Sequence, residues 1–131
     1  MLTGSTCKFG HLPEKSGAVN AASHLVSTEY DMTPEAKVKK QIVQQLKAIG
    51  AYYFYPVTGG YGQSGVPDIV GCYEGLFFGI ECKAGKNKPT PLQDKNLAQI
   101  RAAGGLDMVV NEINMNTVAD DLRAWSIVLH D

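Results

Sequence analysis

Apolar residues recur at helical spacing first at Val38, Ile42, Leu46 and Ile49, with Lys37, Lys39, Lys40 and Gln44 between them. Thr33-Pro34 stands just ahead, an N-cap followed by the proline that a first helical turn tolerates, and Gly50 stands just after. The pattern then changes period. Tyr52 to Tyr55 reads as a short aromatic strand stopped by Pro56, and Thr58 to Gly65, with four glycines, as a loop. Asp68 to Tyr73 and Leu76 to Lys83 are rich in Ile, Val, Phe and Tyr and read as two strands. Thr90-Pro91 opens a second helix with Leu92, Leu97 and Ile100 on one face, closed by Gly104-Gly105. A short strand over Asp107 to Val110 and a last helix over Thr117 to Trp125 complete the order α-β-β-β-α-β-α. That order gives a mixed sheet flanked by helices, an α/β or α+β sandwich. The aromatic run Tyr52 to Tyr55 and Trp125 are expected in its core.

Residues 1–31 are small, polar and loosely patterned, with Val19 to Val26 the only hint of a helix. They read as a tail or accessory segment before a domain over residues 32–131, and Met32 is placed where an alternative start would fall. The whole chain has 131 residues, 44% hydrophobic and 19% charged, which is globular and ordered. Twelve Lys and Arg against thirteen Asp and Glu exclude a uniformly basic nucleic-acid coat protein, though not a local basic patch. No apolar stretch is long enough for a bilayer and no secretory leader is evident. Cys7, Cys72 and Cys82 are odd in number and without paired spacing, which suggests free thiols in a reducing compartment, the cytoplasm. His11, His24 and His130 show no zinc spacing.

The chemistry concentrates on the hairpin. Only Glu74 and Gly75 separate its strands, which suits a two-residue turn. If Tyr73 faces Leu76, Asp68 faces Glu81 with Cβ atoms roughly 5 Å apart, and Lys83 joins them on one face. Opposed carboxylates on a sheet destabilise it unless something lies between them. A hard divalent cation is the natural occupant, with Lys83 beside it to orient or activate a water and offset developing negative charge. The plainer reading is an ion pair between Lys83 and Asp68 or Glu81 on a solvated face.

Here the residues resemble a known pattern. Gly65-Val66-Pro67-Asp68, twelve residues, then Glu81-Cys82-Lys83 is similar to the PD-(D/E)xK nuclease signature. The fuller run, with Ser64, Ile69-Val70, Gly79-Ile80, Thr90-Pro91-Leu92-Gln93 and Ala103-Gly104-Gly105-Leu106, resembles the VRR-NUC family over about residues 34 to 111. The resemblance implies a restriction-endonuclease-like fold with an α-β-β-β-α-β core. It also implies a Mg²⁺- or Mn²⁺-dependent endonuclease acting on DNA. Asp68 and Glu81 would be its metal ligands, with the backbone carbonyl of Cys82, and Lys83 would act on the water. For a small stand-alone member the family implies a homodimer that cuts four-way DNA junctions. The alternatives are a nuclease for flaps, nicked or linear duplex, or a catalytically idle DNA-binding or dimerisation module.

Two further residues have competing readings. Glu35 projects from the apolar side of the first helix, where family members carry a glutamate near the active centre, but a first-turn glutamate also favours the helix dipole. Gln93 follows Thr90 by three, a capping box, while the family carries a functional glutamine at the matching place. Lys86, Lys88 and Lys95 form one basic stretch and Lys37, Lys39 and Lys40 another, from which phosphate contacts are expected. Tyr61, in the glycine-rich loop, is a candidate stacking group. Gln63-Ser64 stand where family members often place a basic residue.

Overall fold

The Thr33 hydroxyl accepts from the Ala36 N–H at 3.1 Å and starts helix α1 (Pro34–Ile49), which Gly50 ends. A computed structural model describes residues 32–57, 59, 60 and 62–131; the expected tail over residues 1–31 and Tyr61 lie outside the described residues. After α1 come strands β1 (Tyr52–Phe54), β2 (Ile69–Tyr73) and β3 (Leu76–Cys82). Helix α2 (Pro91–Ala102), strand β4 (Leu106–Val110), a 3₁₀ turn (Met115–Thr117) and helix α3 (Val118–His130) follow. The sheet order is β1-β2-β3-β4, the first two pairings antiparallel and β3–β4 parallel. This is the mixed α/β sheet expected, and α2 is the crossover that a parallel pair requires.

One face of the sheet carries the core. Ile69, Leu76, Phe78, Ile80, Cys82 and Val110 pack with Val38, Ile42 and Leu46 of α1 and Val118 and Leu122 of α3. On the other face α2 lies over β3 and β4, buried through Leu97 and half-buried through Ile100, while Leu92 stays 45% exposed. Gly79 permits this approach: a Cβ there would meet Ile100 Cδ1 at 2.6 Å and Pro67 Cγ at 3.0 Å.

Two core expectations are corrected. Tyr52, Phe54 and Tyr55 are 69%, 47% and 46% exposed, and only Tyr53 packs on the core. Strand β1 is a three-residue edge strand, and α2 covers β3 and β4 rather than its outer face. Trp125 is 52% exposed: it sits at the edge of the stripe that buries Val118, Leu122 and Ser126 and lines an open surface cavity with Leu76, Leu106 and Met108. That helix also runs to His130, past the end that Trp125 suggested. No helix among the described residues is long and apolar enough to cross a membrane.

Candidate active site

The turn sets the site. Glu74 and Gly75 adopt φ of 51° and 81°, both left-handed, as a type I′ turn requires, and glycine makes the second inexpensive. Tyr73 therefore faces Leu76 and Ile69 faces Ile80. Continued by one residue, this register sets Asp68 across from Glu81. Asp68 lies just past the end of β2, after the buried Pro67, and its Oδ2 accepts from the Cys82 N–H at 2.9 Å. A side-chain carboxylate takes the place of a backbone acceptor where the ladder runs out.

Glu81 is 2% exposed. Its Oε2 accepts from Gln93 Nε2 at 3.0 Å and lies 3.5 Å from Lys83 Nζ, whose side chain is itself only 13% exposed. Its Oε1 is buried with no hydrogen-bond partner. Burial, then the neighbouring Asp68 carboxylate, push the Glu81 carboxyl up to about 7, against the opposing pull of Lys83. The Cys82 side chain points the other way, into the core, and burial pushes its thiol up to about 12.

Gln93 answers the conflict between capping and site by doing both. Its Oε1 accepts from the Thr90 N–H at 2.9 Å, closing the capping box, while its Nε2 holds Glu81. An amide has two ends, so one residue serves both the helix start and the carboxylate.

Asp68 also lines a cavity of about 210 Å³ with Thr33, Glu35, Ala36, Lys39 and Cys82. Glu35 thus shares a cavity with Asp68 from the first turn of α1, apart from Glu81 and Lys83, which do not line it. Lys86 and Lys88 are exposed in the loop after Lys83, which is pinned where Glu112 accepts from the Gly85 N–H at 3.0 and 3.2 Å. Lys95 is exposed on α2, about 200° around the helix from Gln93.

Asn96 is a site neighbour that the sequence reading missed. It is 6% exposed, donates to the Ser64 and Leu92 carbonyls at 3.1 and 3.0 Å, and accepts from Gln63 Nε2 at 2.5 Å. It ties the end of the glycine-rich loop, just before Asp68, to α2. The available signal was a polar residue at position 96 on the stripe of Gln93, Leu97 and Ile100. Thr33, read only as a helix cap, also lines the cavity, as does Lys39 of the second basic stretch.

Among the described residues no group of three or more His, Cys, Asp or Glu side chains is arranged to hold a metal ion; the opposed carboxylates are a pair. No protein-family model matches the chain. Over 85 residues it is 31% identical to Putative nuclease p44 of Acyrthosiphon pisum secondary endosymbiont phage 1, an alignment spanning 64% of this chain and 89% of that protein. Among solved structures it is similar to a VRR_NUC domain protein, with a TM-score of 0.53 and 18% identity over 72% of this chain and 89% of the other.

Proposed function

Since the chain belongs to the VRR-NUC nuclease family, we propose that it is a divalent-metal-dependent DNA endonuclease. Its preferred substrate in this reading is branched DNA, four-way junctions above all, cut by a homodimer. The observation that carries the metal dependence is Glu81: a carboxylate sealed from water, opposed by Asp68, with one oxygen lacking any partner. Lys83 at 3.5 Å offsets one negative charge, but with Asp68 opposite, two carboxylates share that single cation, which is costly unless a further counter-charge reaches them.

The residues present fit Mg²⁺ or Mn²⁺. Two carboxylates suffice for such an ion when waters and a carbonyl complete the shell. The Cys82 N–H bonds Asp68, whereas the Lys83 N–H turns to Val110 of β4. Neighbouring residues of a strand alternate their hydrogen-bonding edges, so the Cys82 carbonyl belongs to the Asp68 edge. Asp68, Glu81 and the Cys82 carbonyl would hold such an ion, which would supply a lowered water pKa and charge stabilisation at a phosphoryl oxygen.

The protein's own groups divide the remaining work. Lys83 and Gln93 both engage Glu81 Oε2, which fixes the carboxylate and leaves Oε1 as its unsatisfied end. Lys83 also brings a cation within reach of the reacting phosphate, where it orients the water and offsets negative charge as that charge develops. With Glu81 ionised, Asp68, Glu81 and Lys83 together carry one net negative charge; a divalent ion would reverse it and make the site attractive to a phosphodiester. Glu35 adds a second carboxylate beside Asp68 in their shared cavity. Lys86 and Lys88, exposed in the loop after Lys83, and Lys95, exposed on α2 but turned away from Gln93, are the candidate phosphate contacts, with Tyr61 a candidate stacking group. Two-fold symmetry of the protein would match the two equivalent strands of a junction.

The test is cleavage of labelled four-way junction, flap, nicked and linear duplex in a few millimolar Mg²⁺ or Mn²⁺, with EDTA and Asp68→Ala as controls. Paired, symmetric, metal-dependent cuts confined to the junction are expected. Cutting of flaps or linear duplex would remove the junction preference and keep the nuclease. No metal-dependent cutting of any substrate would overturn the reading.

A further inference from the structure

Lys39 lies one helical turn after Glu35 and faces the same way, into the cavity that also holds Asp68 and Cys82. It is the only cationic side chain lining that cavity among the described residues. Two carboxylates share the cavity with it, yet no ion pair of Lys39 occurs among the described residues. Its Nζ rests instead 4.9 Å from the centroid of the Tyr55 ring. Tyr55 follows the end of β1 and packs edge-on against Tyr53, with centroids 6.1 Å apart.

An ammonium over a ring face leaves its outward donors available to an anion, whereas one locked between carboxylates has its donors engaged and its field offset. Lys39 is half-buried, unlike Lys86, Lys88 and Lys95, so water screens its field less.

We propose that Lys39, held on the Tyr55 ring, is a phosphate-binding residue of the active site. It grips a DNA phosphate beside the scissile one, from the α1 side, while Lys83 serves the scissile phosphate itself. The proposal rests on the nuclease reading above and adds a substrate-positioning role to the first helix.

The full chain is tested on a labelled four-way junction and a linear duplex. In an Asp68→Ala background, which holds cleavage off, Lys39→Gln and Lys39→Met are expected to weaken binding about 3- to 10-fold on either DNA. They should also flatten the slope of log affinity against log salt by about 1, as loss of one phosphate contact does. Lys39→Arg should restore the slope, Tyr55→Phe should leave it alone, and Tyr55→Leu should shift it in the same direction as Lys39→Gln but less. With Asp68 intact, Lys39→Gln should raise KM by a larger factor than it lowers kcat. An unchanged salt slope with a lowered melting temperature would make Lys39 a packing residue and overturn the proposal, as would a chain that binds neither DNA. If the wild-type chain binds DNA but cuts none, the nuclease reading falls while the slope still reports on Lys39. If it cuts and the slope is unmoved, only the assignment of Lys39 falls.

Discussion

At its turn the β2–β3 hairpin closes through Glu74 and Gly75, sets Tyr73 on Leu76 in register, and buries Leu76 in the core. Even the Glu74 carbonyl has a neighbour, His130 Nε2 at 2.6 Å. At the open end, five residues farther along each strand, Asp68 and Glu81 face each other and one buried carboxylate oxygen goes unpartnered. The contrast separates the parts of the hairpin that fold the chain from the part that burdens it. Charge is gathered where the ladder runs out, because a side chain can replace a backbone acceptor there. The same strands carry the cost through the packing of Phe78, Ile80 and Ile69.

That division can be broken from either side. Asp68→Ala should lower cleavage about a hundredfold or more while DNA binding persists, read by single-turnover kinetics and gel shift. Phe78→Ala, in the fully buried middle of β3, should lose about 3–5 kcal/mol of stability in chemical denaturation.

Glu81→Gln should act oppositely on the two properties, abolishing cleavage and stabilising the metal-free chain. The sign follows from the raised carboxyl. Between an ordinary value near 4.5 and the folded value of about 7, the folded state holds a proton that the unfolded state has released. Stability therefore falls as pH rises through that window, by roughly 3 kcal/mol, and the loss is complete above it. Thermal melts of the metal-free wild type should drop between pH 5 and pH 8, melts of Glu81→Gln should be flatter, and added Mg²⁺ should recover the wild type at pH 8.

The smallest effect separates the two ends of one amide. Gln93→Ala should cost about 1 kcal/mol through the lost cap and also reduce cleavage. Gln93→Glu keeps a capping acceptor but puts a second negative charge against Glu81. It should retain the stability of α2 and still reduce cleavage, as paired melts and rate measurements would show.

Where local chemistry decides structure, the sequence was legible. Thr33-Pro34 and Thr90-Pro91 mark helix starts, and Glu74-Gly75 fixes a register from which the meeting of Asp68 and Glu81 follows. Glu35 was legible from helical phase alone. Gln93 was half legible: its spacing from Thr90 showed the cap, but Glu81 is twelve residues away and meets it only through packing. The exposure of Tyr52, Phe54, Tyr55 and Trp125 was not legible, because an aromatic strand reads as buried unless one knows which layer lies over it. Asn96 and the Lys39–Tyr55 contact were hidden for the same reason: each joins segments that only the folded chain brings together.

The central claim is that the opposed carboxylates hold a divalent ion, and Mn²⁺ titration of the wild type and Glu81→Gln, followed by calorimetry at pH 7.5, tests it directly. The account predicts Mn²⁺ binding by the wild type, weakening as pH falls below about 7, and its loss in Glu81→Gln. Equal Mn²⁺ binding by both chains, or none by either, would contradict it.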